Sequence, residues 1–306
     1  MRALVTGGAG FIGSHLIDAL LDLGAEVFVI DDFSSGSEKF LNKKSVLEKV
    51  DIRDKEKVQK FFSFCKPDIV FHMAAQIDLR RSIENPEIDY EINVLGSKNI
   101  ISSCLSCGVK KIIFSSSSAV YSGSVQLPCD EPSLLAPATQ YGKSKLEIEN
   151  YIKDIVSKSK IKATVLRYSN VYGPRQGAKG EGGVIAVFFK KAMSCEPLII
   201  FGTGEQTRDF VFVKDVVQAN LKAIESKADF RVYNISTSKE TNILDLSYEI
   251  LKISGKNCKI EHRDIVKGEV LRSCLENSLA RNELGWKPEF SLEKGLFETF
   301  EYFKSS

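Results

Sequence analysis

Tyr141 and Lys145 stand four residues apart in the run Tyr-Gly-Lys-Ser-Lys. On a helix that spacing puts both side chains on one face. A free phenol titrates at about 10 and is a poor base at neutral pH. A neighbouring ammonium favours the phenolate and lowers that value, so Tyr141 is a candidate to exchange a proton with a substrate hydroxyl. The same spacing also fits an ordinary surface tyrosine beside a solvated lysine. Further hydroxyls come from Ser115-Ser116-Ser117-Ser118, which follow the apolar Phe114, and composition does not choose among the four.

A ligand class is written at the start of the chain. Val5-Thr6-Gly7-Gly8-Ala9-Gly10-Phe11-Ile12-Gly13 joins a buried strand, Arg2 to Thr6, to a helix from Phe11 to Leu23. Gly7 permits a sharp turn, Gly10 lets backbone approach a pyrophosphate, and Gly13 lets helix pack close on strand. The helix N-terminus then presents free N–H groups and partial positive charge to phosphates. A second strand, Glu26 to Ile30, ends in Asp31-Asp32. A carboxylate there accepts from ribose hydroxyls and repels a 2′-phosphate. No arginine follows within Phe33-Ser34-Ser35-Gly36, so the expected cofactor is NAD rather than NADP. Its positive ring would add to the effect of Lys145 on Tyr141.

These groups need a repeating frame to hold them. Strand patterns at Ser45 to Val50, Ile69 to Met73, Lys111 to Ser115 and Ala163 to Tyr168 alternate with helix patterns. The helices are Lys55 to Cys65, Tyr90 to Cys107 and Gln140 to Ser157. Such βα units predict an α/β fold, a doubly wound parallel (Rossmann) sheet with helices on both faces. Ligands bind beyond the carboxyl ends of its strands, where Thr6, Asp31, Ala74, Ser115 and Tyr168 lie. From Tyr172 the texture changes to a glycine-rich loop reaching Gly183. Helix patterns at Val184 to Cys195, Asp215 to Ser226 and Ile243 to Ser254 follow, with short strands at Leu198 to Phe201 and Phe230 to Asn234. The expected organisation is interleaved: residues 1–171 plus about 207–237 in the NAD-binding domain, about 172–206 and 238–306 in a smaller C-terminal α/β substrate lobe.

The 306 residues are 43% apolar, ample for a core, and carry a net charge of +2 with both signs interspersed. That pattern has no footprint for nucleic acid or a membrane surface. No long apolar run and no signal-peptide pattern precedes the first strand, and seven scattered cysteines fit a reducing compartment. A cytoplasmic location is therefore expected. Cys104 and Cys107 form a C-x-x-C within an apolar helix pattern and read as core thiols. His15, His72 and His262 are too scattered for a metal motif, so no metal is expected.

An ordered set of motifs runs along nearly the whole chain. It comprises T-G-G-A-G-F-I-G at 6–13, D-D-F-S-S-G at 31–36, H-M-A-A-Q at 72–76 and N-V-x-G at 93–96. It continues with F-S-S-S-S-A-V-Y at 114–121, Y-G-K-S-K at 141–145 and R-Y-S-N-V-Y-G-P-R at 167–175. F-G-T-G-E-Q-T-R-D-F-V-F-V-K-D at 201–215 and L-G-W-K-P at 284–288 complete it. Together they resemble the extended short-chain dehydrogenases/reductases, and among them the UDP-glucose (UDP-galactose) 4-epimerases. The resemblance implies that Ser117 is the catalytic hydroxyl beside Tyr141 and Lys145. It implies NAD contacts from Gly7, Gly10, Phe11, Ile12, Gly13, Asp31, Asp32, Ser35, Gly36, Ala74, Ala75, Gln76, Ser115, Tyr141 and Tyr168. It further implies adenine contacts from Asp51 and Ile52, with Asn93 and Lys145 around the nicotinamide ribose. Asn170 would reach the sugar nucleotide, Arg208 and Arg272 would clamp its diphosphate, and Val184, Leu198 and Ile199 would wall the uracil pocket.

There are departures. Ser122 stands where the family's V-Y-G has glycine, and Glu269 where G-D-V has aspartate. Ser273, at the position that gates pocket width, resembles epimerases that also admit N-acetylated sugars. The resemblance also implies a homodimer, packed through Tyr90 to Cys107 and Gln140 to Ser157. The apolar positions offered are Ile92, Leu95, Ile100, Leu105, Leu146, Ile148, Ile152 and Ile155.

The activity implied is NAD-dependent inversion of C4 of a UDP-hexose through a transient 4-keto sugar. The substrate would be the glucose/galactose pair, with the N-acetylated pair a further possibility. Two rivals share the first half-reaction. Sugar-nucleotide 4,6-dehydratases carry Asp-Glu just after the catalytic hydroxyl, and UDP-glucuronate decarboxylases carry Glu where Ala119 stands. This chain has Ser118-Ala119 there. A third reading, a non-catalytic NAD-binding sensor, fits poorly with a retained Ser117, Tyr141 and Lys145.

Overall fold

The computed structural model describes residues 1–121, 126–177, 183–265 and 270–305. Ser122 and Glu269 lie outside them.

Strand β1 (Arg2–Thr6) shows why a parallel sheet forms. Ala3 and Val5 point into one core cluster, with Leu16, Ile17 and Leu20, while Leu4 points into another, with Val58 and Phe62. Side chains alternate across a strand, so a run apolar on both faces has to be covered on both. The chain continues through α1 (Phe11–Asp22), β2 (Glu26–Asp31), β3 (Val46–Lys49), α2 (Lys55–Cys65), β4 (Ile69–His72), α3 (Leu79–Glu84) and α4 (Pro86–Tyr90). Then come α5 (Ser97–Ser106), β5 (Lys111–Ser117), α6 (Gln140–Lys158) and β6 (Lys162–Tyr168). A second series holds β7 (Asn170–Tyr172), α7 (Val184–Met193), β8 (Leu198–Phe201), β9 (Thr207–Arg208) and β10 (Phe210–Phe212). It ends with α8 (Val213–Ile224), β11 (Phe230–Ile235), β12 (Thr241–Asn242), α9 (Ile243–Ser254), β13 (Ile260–Arg263), α10 (Ser278–Leu284) and α11 (Leu292–Ser305).

The main sheet has seven strands in the order β11-β6-β5-β4-β1-β2-β3. All its pairings are parallel. Strand order reverses between β1 and β4, which opens a crevice at their carboxyl ends. Helices α1 and α8 cover one face, and α2, α5 and α6 the other. A third cluster packs α7, α9 and α11 around β8 and β10, through Phe188, Phe189, Leu198, Ile200, Phe212, Leu246, Ile250 and Leu296. Small pairs β7–β10, β9–β12 and β8–β13 complete the architecture.

Helices α3 and α10 have no counterpart among the expected helices, and two further stretches depart from the periodicity. The single helix expected over 90–107 is three pieces: α4, a π-turn over Glu91–Gly96, and α5. Gly96 lets this turn press on Ile52, because a Cβ there would lie 2.6 Å from the Ile52 Cγ1. An extra residue in a turn leaves no mark on a 3.6-residue pattern. Helix α11 has no counterpart among the expected helices. Gly295 at its fourth position weakens the local preference, yet a side chain there would strike the Tyr172 hydroxyl at 2.1 Å.

Candidate active site

The glycine turn is built as its spacing requires. Gly7 takes φ +68°, and a Cβ on it would lie 2.8 Å from the Ala74 backbone. A Cβ on Gly13 would lie 2.3 Å from the Gly7 carbonyl oxygen. Gly10 precedes α1 without a side-chain cap, so the first N–H groups of that helix, at Phe11, Ile12 and Gly13, lie behind bare backbone. The cradle therefore has the shape and polarity that a pyrophosphate needs.

Asp31 ties a second loop to this turn. It accepts from the Ala9 N–H at 2.9 Å and the Phe33 N–H at 2.8 Å. Burial raises its pKa, with those two hydrogen bonds acting the other way. Gly36 lies so close to Ala9 that a Cβ would come within 2.8 Å of its backbone, and the neighbouring Ser35 and the exposed Asp32 belong to the same loop. Asp51 is paired with Arg53 at 2.6 Å, which lowers its pKa, and Arg53 also reaches Glu91. Ile52 is buried against the π-turn.

A polar chain runs beneath the crevice. The Ala74 N–H donates to Thr6 Oγ1 at 3.1 Å, and Thr6 lies 2.7 Å from His72 Nδ1. His72 Nε2 lies 2.8 Å from Ser97 Oγ, whose own proton goes to the Asn93 carbonyl at 2.6 Å. With the serine proton spent there, Nε2 has to carry the imidazole proton and Nδ1 accepts from Thr6. His72 is fully buried, and burial drives its pKa from 6.5 down to about 3. Unfolded chain thus binds a proton between those values that folded chain does not, so this histidine lowers stability as pH falls below 6.5. The expected slope is up to about 1.4 kcal/mol per pH unit. Urea midpoints at pH 5 and pH 6.5 will differ less in His72→Asn than in the parent.

Ser117, Tyr141 and Lys145 come together. Ser117 sits beside Tyr141, close enough to act on its phenol, and Lys145 Nζ lies 5.7 Å from the Tyr141 ring centroid. Gly142 makes this approach possible, since a Cβ on it would sit 2.2 Å from the Ala119 carbonyl oxygen. Thr139 caps α6 by accepting from the Gly142 N–H. In the protein alone, Lys145 does not lower the Tyr141 pKa. Burial pushes the phenol up to about 12, the Ser117 hydrogen bond works against that, and Asp89 adds to the rise. Lys145 instead donates to the Ser115 carbonyl at 2.7 Å, and burial pushes it down to about 8. Desolvation outweighs a cation that is spent on a backbone carbonyl.

Around this cluster, Asn93 exchanges two hydrogen bonds with the Gln76 backbone, beside Ala75, at 2.8 and 2.9 Å. Tyr168 is buried, and its hydroxyl pairs with Asn220 on α8. Asn170 lies on β7, whose partner β10 follows Arg208. Arg208 donates to the Thr207 carbonyl at 2.8 Å, and a bridge between Thr207 and Arg272 brings the second arginine alongside. Arg272 grips Glu240 through two nitrogens, at 2.9 and 2.5 Å. Val184 opens α7, and Ile199 is partly exposed, whereas alternation along β8 turns Leu198 into the third core. Cys104 is fully buried and Cys107 partly so. Among the described residues no His/Cys/Asp/Glu cluster could hold a metal ion, and no helix is long and apolar enough to cross a membrane. Asp89 and Glu149 carry no sequence signal, yet with Ser144 and Arg167 they form the buried polar floor of the site.

A reversing parallel sheet with a phosphate-sized cradle, and a Ser–Tyr–Lys cluster at its carboxyl edge, is the frame of the extended short-chain dehydrogenases/reductases. The model of the NAD dependent epimerase/dehydratase family matches residues 3–236, and the chain belongs to that family. A solved UDP-glucose 4-epimerase of Thermotoga maritima, with UDP-glucose, is 41% identical at TM-score 0.98, covering 100% of this chain and 99% of that one. The Thermus thermophilus UDP-glucose 4-epimerase, in complex with NAD, is 33% identical at TM-score 0.95, with 100% of both chains covered. The UDP-N-acetylglucosamine 4-epimerase of Methanobrevibacter ruminantium, in complex with UDP-N-acetylmuramic acid, is 33% identical at TM-score 0.94, covering 99% and 98%. This protein is thus a UDP-glucose 4-epimerase-like, NAD-dependent epimerase of UDP-sugars.

Proposed function

We propose that the protein inverts C4 of a UDP-hexose, with glucose and galactose as the primary pair. The observation that carries this reading is the placing of Ser117 beside Tyr141, backed by Lys145, at the same sheet edge as the glycine turn. The turn, Asp31, Asp32, Ser35, Gly36, Asp51, Ile52, Ala74, Ala75, Gln76, Asn93, Ser115 and Tyr168 would hold NAD, which when bound accepts the C4 hydride and returns it. The lobe division expected above, with residues 1–171 and about 207–237 on the cofactor side, belongs to the same proposal.

Tyr141 moves the proton of the sugar 4-hydroxyl. Ser117 orients that hydroxyl, and Lys145 supplies positive charge behind the phenol. Asn170, Arg208 and Arg272 anchor the nucleotide and its diphosphate, for which a guanidinium fork is suited. Val184 and Ile199 flank the uracil side, while Leu198, buried in the core, does not line it. Strong contacts on the diphosphate and few on the hexose leave the sugar free to turn over between the two half-reactions. The Ser118–Val120 turn next to Ser117 has no carboxylate, which disfavours dehydration and decarboxylation.

The test is a panel of UDP-glucose, UDP-N-acetylglucosamine and UDP-glucuronate. Equilibration of UDP-glucose with UDP-galactose is the expected result. A 4-keto-6-deoxy product, or CO₂ released from UDP-glucuronate, would overturn it. Ser273 makes a sharper prediction: Ser273→Tyr lowers kcat/KM for the N-acetylated sugar by about tenfold or more while sparing UDP-glucose.

The homodimer belongs to the same proposal. Ile100, Ile148 and Ile152 are fully buried in the protein's own core, so they cannot supply the interface. Leu95 and Leu105 are exposed on the same helical stretch and remain to supply it. Light scattering should return the mass of two chains.

A further inference from the structure

Asp89 is a carboxylate with no exposed surface, at the end of α4 where the π-turn begins. Its hydrogen-bond donors among the described residues are all neutral. Ser144 Oγ donates to Oδ1 at 2.7 Å. Asn93 Nδ2 donates to Oδ2 at 3.0 Å, and Gln76 Nε2 reaches the same oxygen at 3.3 Å. An ionised carboxylate accepts at every position, so donors from three segments have to converge on it. One comes from the loop after β4, one from the π-turn and one from α6. Burying such a group is costly unless those donors stay in place.

The donors are not arbitrary. Ser144 lies on α6 between Tyr141 and Lys145. Asn93 and Gln76 hold each other backbone to side chain at the mouth of the crevice. We propose that Asp89 is a positioning residue, which locks the helix carrying Tyr141 and Lys145 in register with the Gln76–Asn93 pair. It touches none of the reacting groups, and its hydrogen bonds reach the helix of Tyr141 and Lys145 only through Ser144 and the crevice side through Asn93 and Gln76. The proposal rests on the reading of Tyr141 as the proton-moving group, so its test includes a measurement independent of turnover.

The experiment compares Asp89→Ala, Asp89→Asn and Ser144→Ala in the full chain. Kinetics are read with UDP-glucose, and amide hydrogen exchange over residues 91–96 and 140–146. Asp89→Ala should lower kcat by about 30-fold with KM changed less than about twofold, since the diphosphate grip lies elsewhere. Its exchange over both segments should quicken. Asp89→Asn should restore kcat to within about threefold, because its amide oxygen can take Asn93 and Gln76 while its nitrogen donates to the Ser144 hydroxyl. Ser144→Ala cuts a single tie, and gives the reading if the Asp89→Ala protein does not fold. It should quicken exchange over 140–146. Parent-like kcat in a folded Asp89→Ala protein would overturn the proposal, as would a loss that Asp89→Asn fails to restore. Exchange unchanged in both alanine variants would overturn it whatever sugar is turned over. Absence of turnover in the parent chain would instead defeat the functional reading, with the exchange result still deciding the role of Asp89.

Discussion

Tyr141→Phe removes the proton-moving group and nothing else of size, and kcat should fall by about 10³ or more. The deleted hydroxyl sits beside Ser117, and the ring stays packed at the start of α6. Melting temperature and KM for the UDP-sugar should therefore change little. Ser117→Ala should cost less, about tenfold to a hundredfold, because a water can take over part of an orienting role. Burial holds the phenol of the protein alone at about 12, and the positive ring of bound NAD would act in the opposite direction. Activity that survives Tyr141→Phe undiminished would refute the assigned base.

Arg167→Leu should lower stability by about 3–5 kcal/mol, the largest expected effect outside the reacting groups. Arg167 and Glu149 form a fork with 2.6 Å and 3.0 Å contacts, and both side chains are 4% exposed. Ser116 donates to the same carboxylate at 2.5 Å, and Arg167 also reaches the Tyr121 hydroxyl and the Glu131 carbonyl. Removing the guanidinium strands a buried carboxylate and two acceptors at once. The urea midpoint should drop accordingly. The double variant Arg167→Leu/Glu149→Leu should recover most of the loss, because an apolar pair of similar volume avoids burying charge. Recovery absent from the double variant would show that packing, not the stranded charge, carries the cost.

Residues whose role is local were legible in the sequence. The glycines at 7, 10 and 13 answer to steric limits within a single turn, and strand β1 announces its two-sided burial by the unbroken apolar run Ala3-Leu4-Val5. Helix α2 appears over the same residues as its pattern, with Asp54 capping it. What resisted reading depends on distant partners. The π-turn at Glu91–Gly96 exists because Asn93 and Gly96 find Gln76 and Ile52. Two-residue strands such as Thr207–Arg208 are defined only by what lies beside them. The lysine's share of the Tyr141 shift is missing because spacing shows that a lysine is near but not where its protons go. Asp89 and Glu149 look like solvated helix charges until the fold closes over them.

Strand β11 lies at the edge of the main sheet, beyond β6, although the chain builds β7 to β10 and α7 before reaching it. Its Asn234 side chain donates to the carbonyls of Cys129 and Glu276 and accepts from Tyr121. One amide thus fastens the turn after β5, the sheet margin and the segment before α10. During synthesis the sheet stays unsealed at β6, an open edge able to pair with other chains, until Phe230–Ile235 leave the ribosome. A nascent chain arrested anywhere between β6 and β11 should therefore be the form that engages chaperones most strongly.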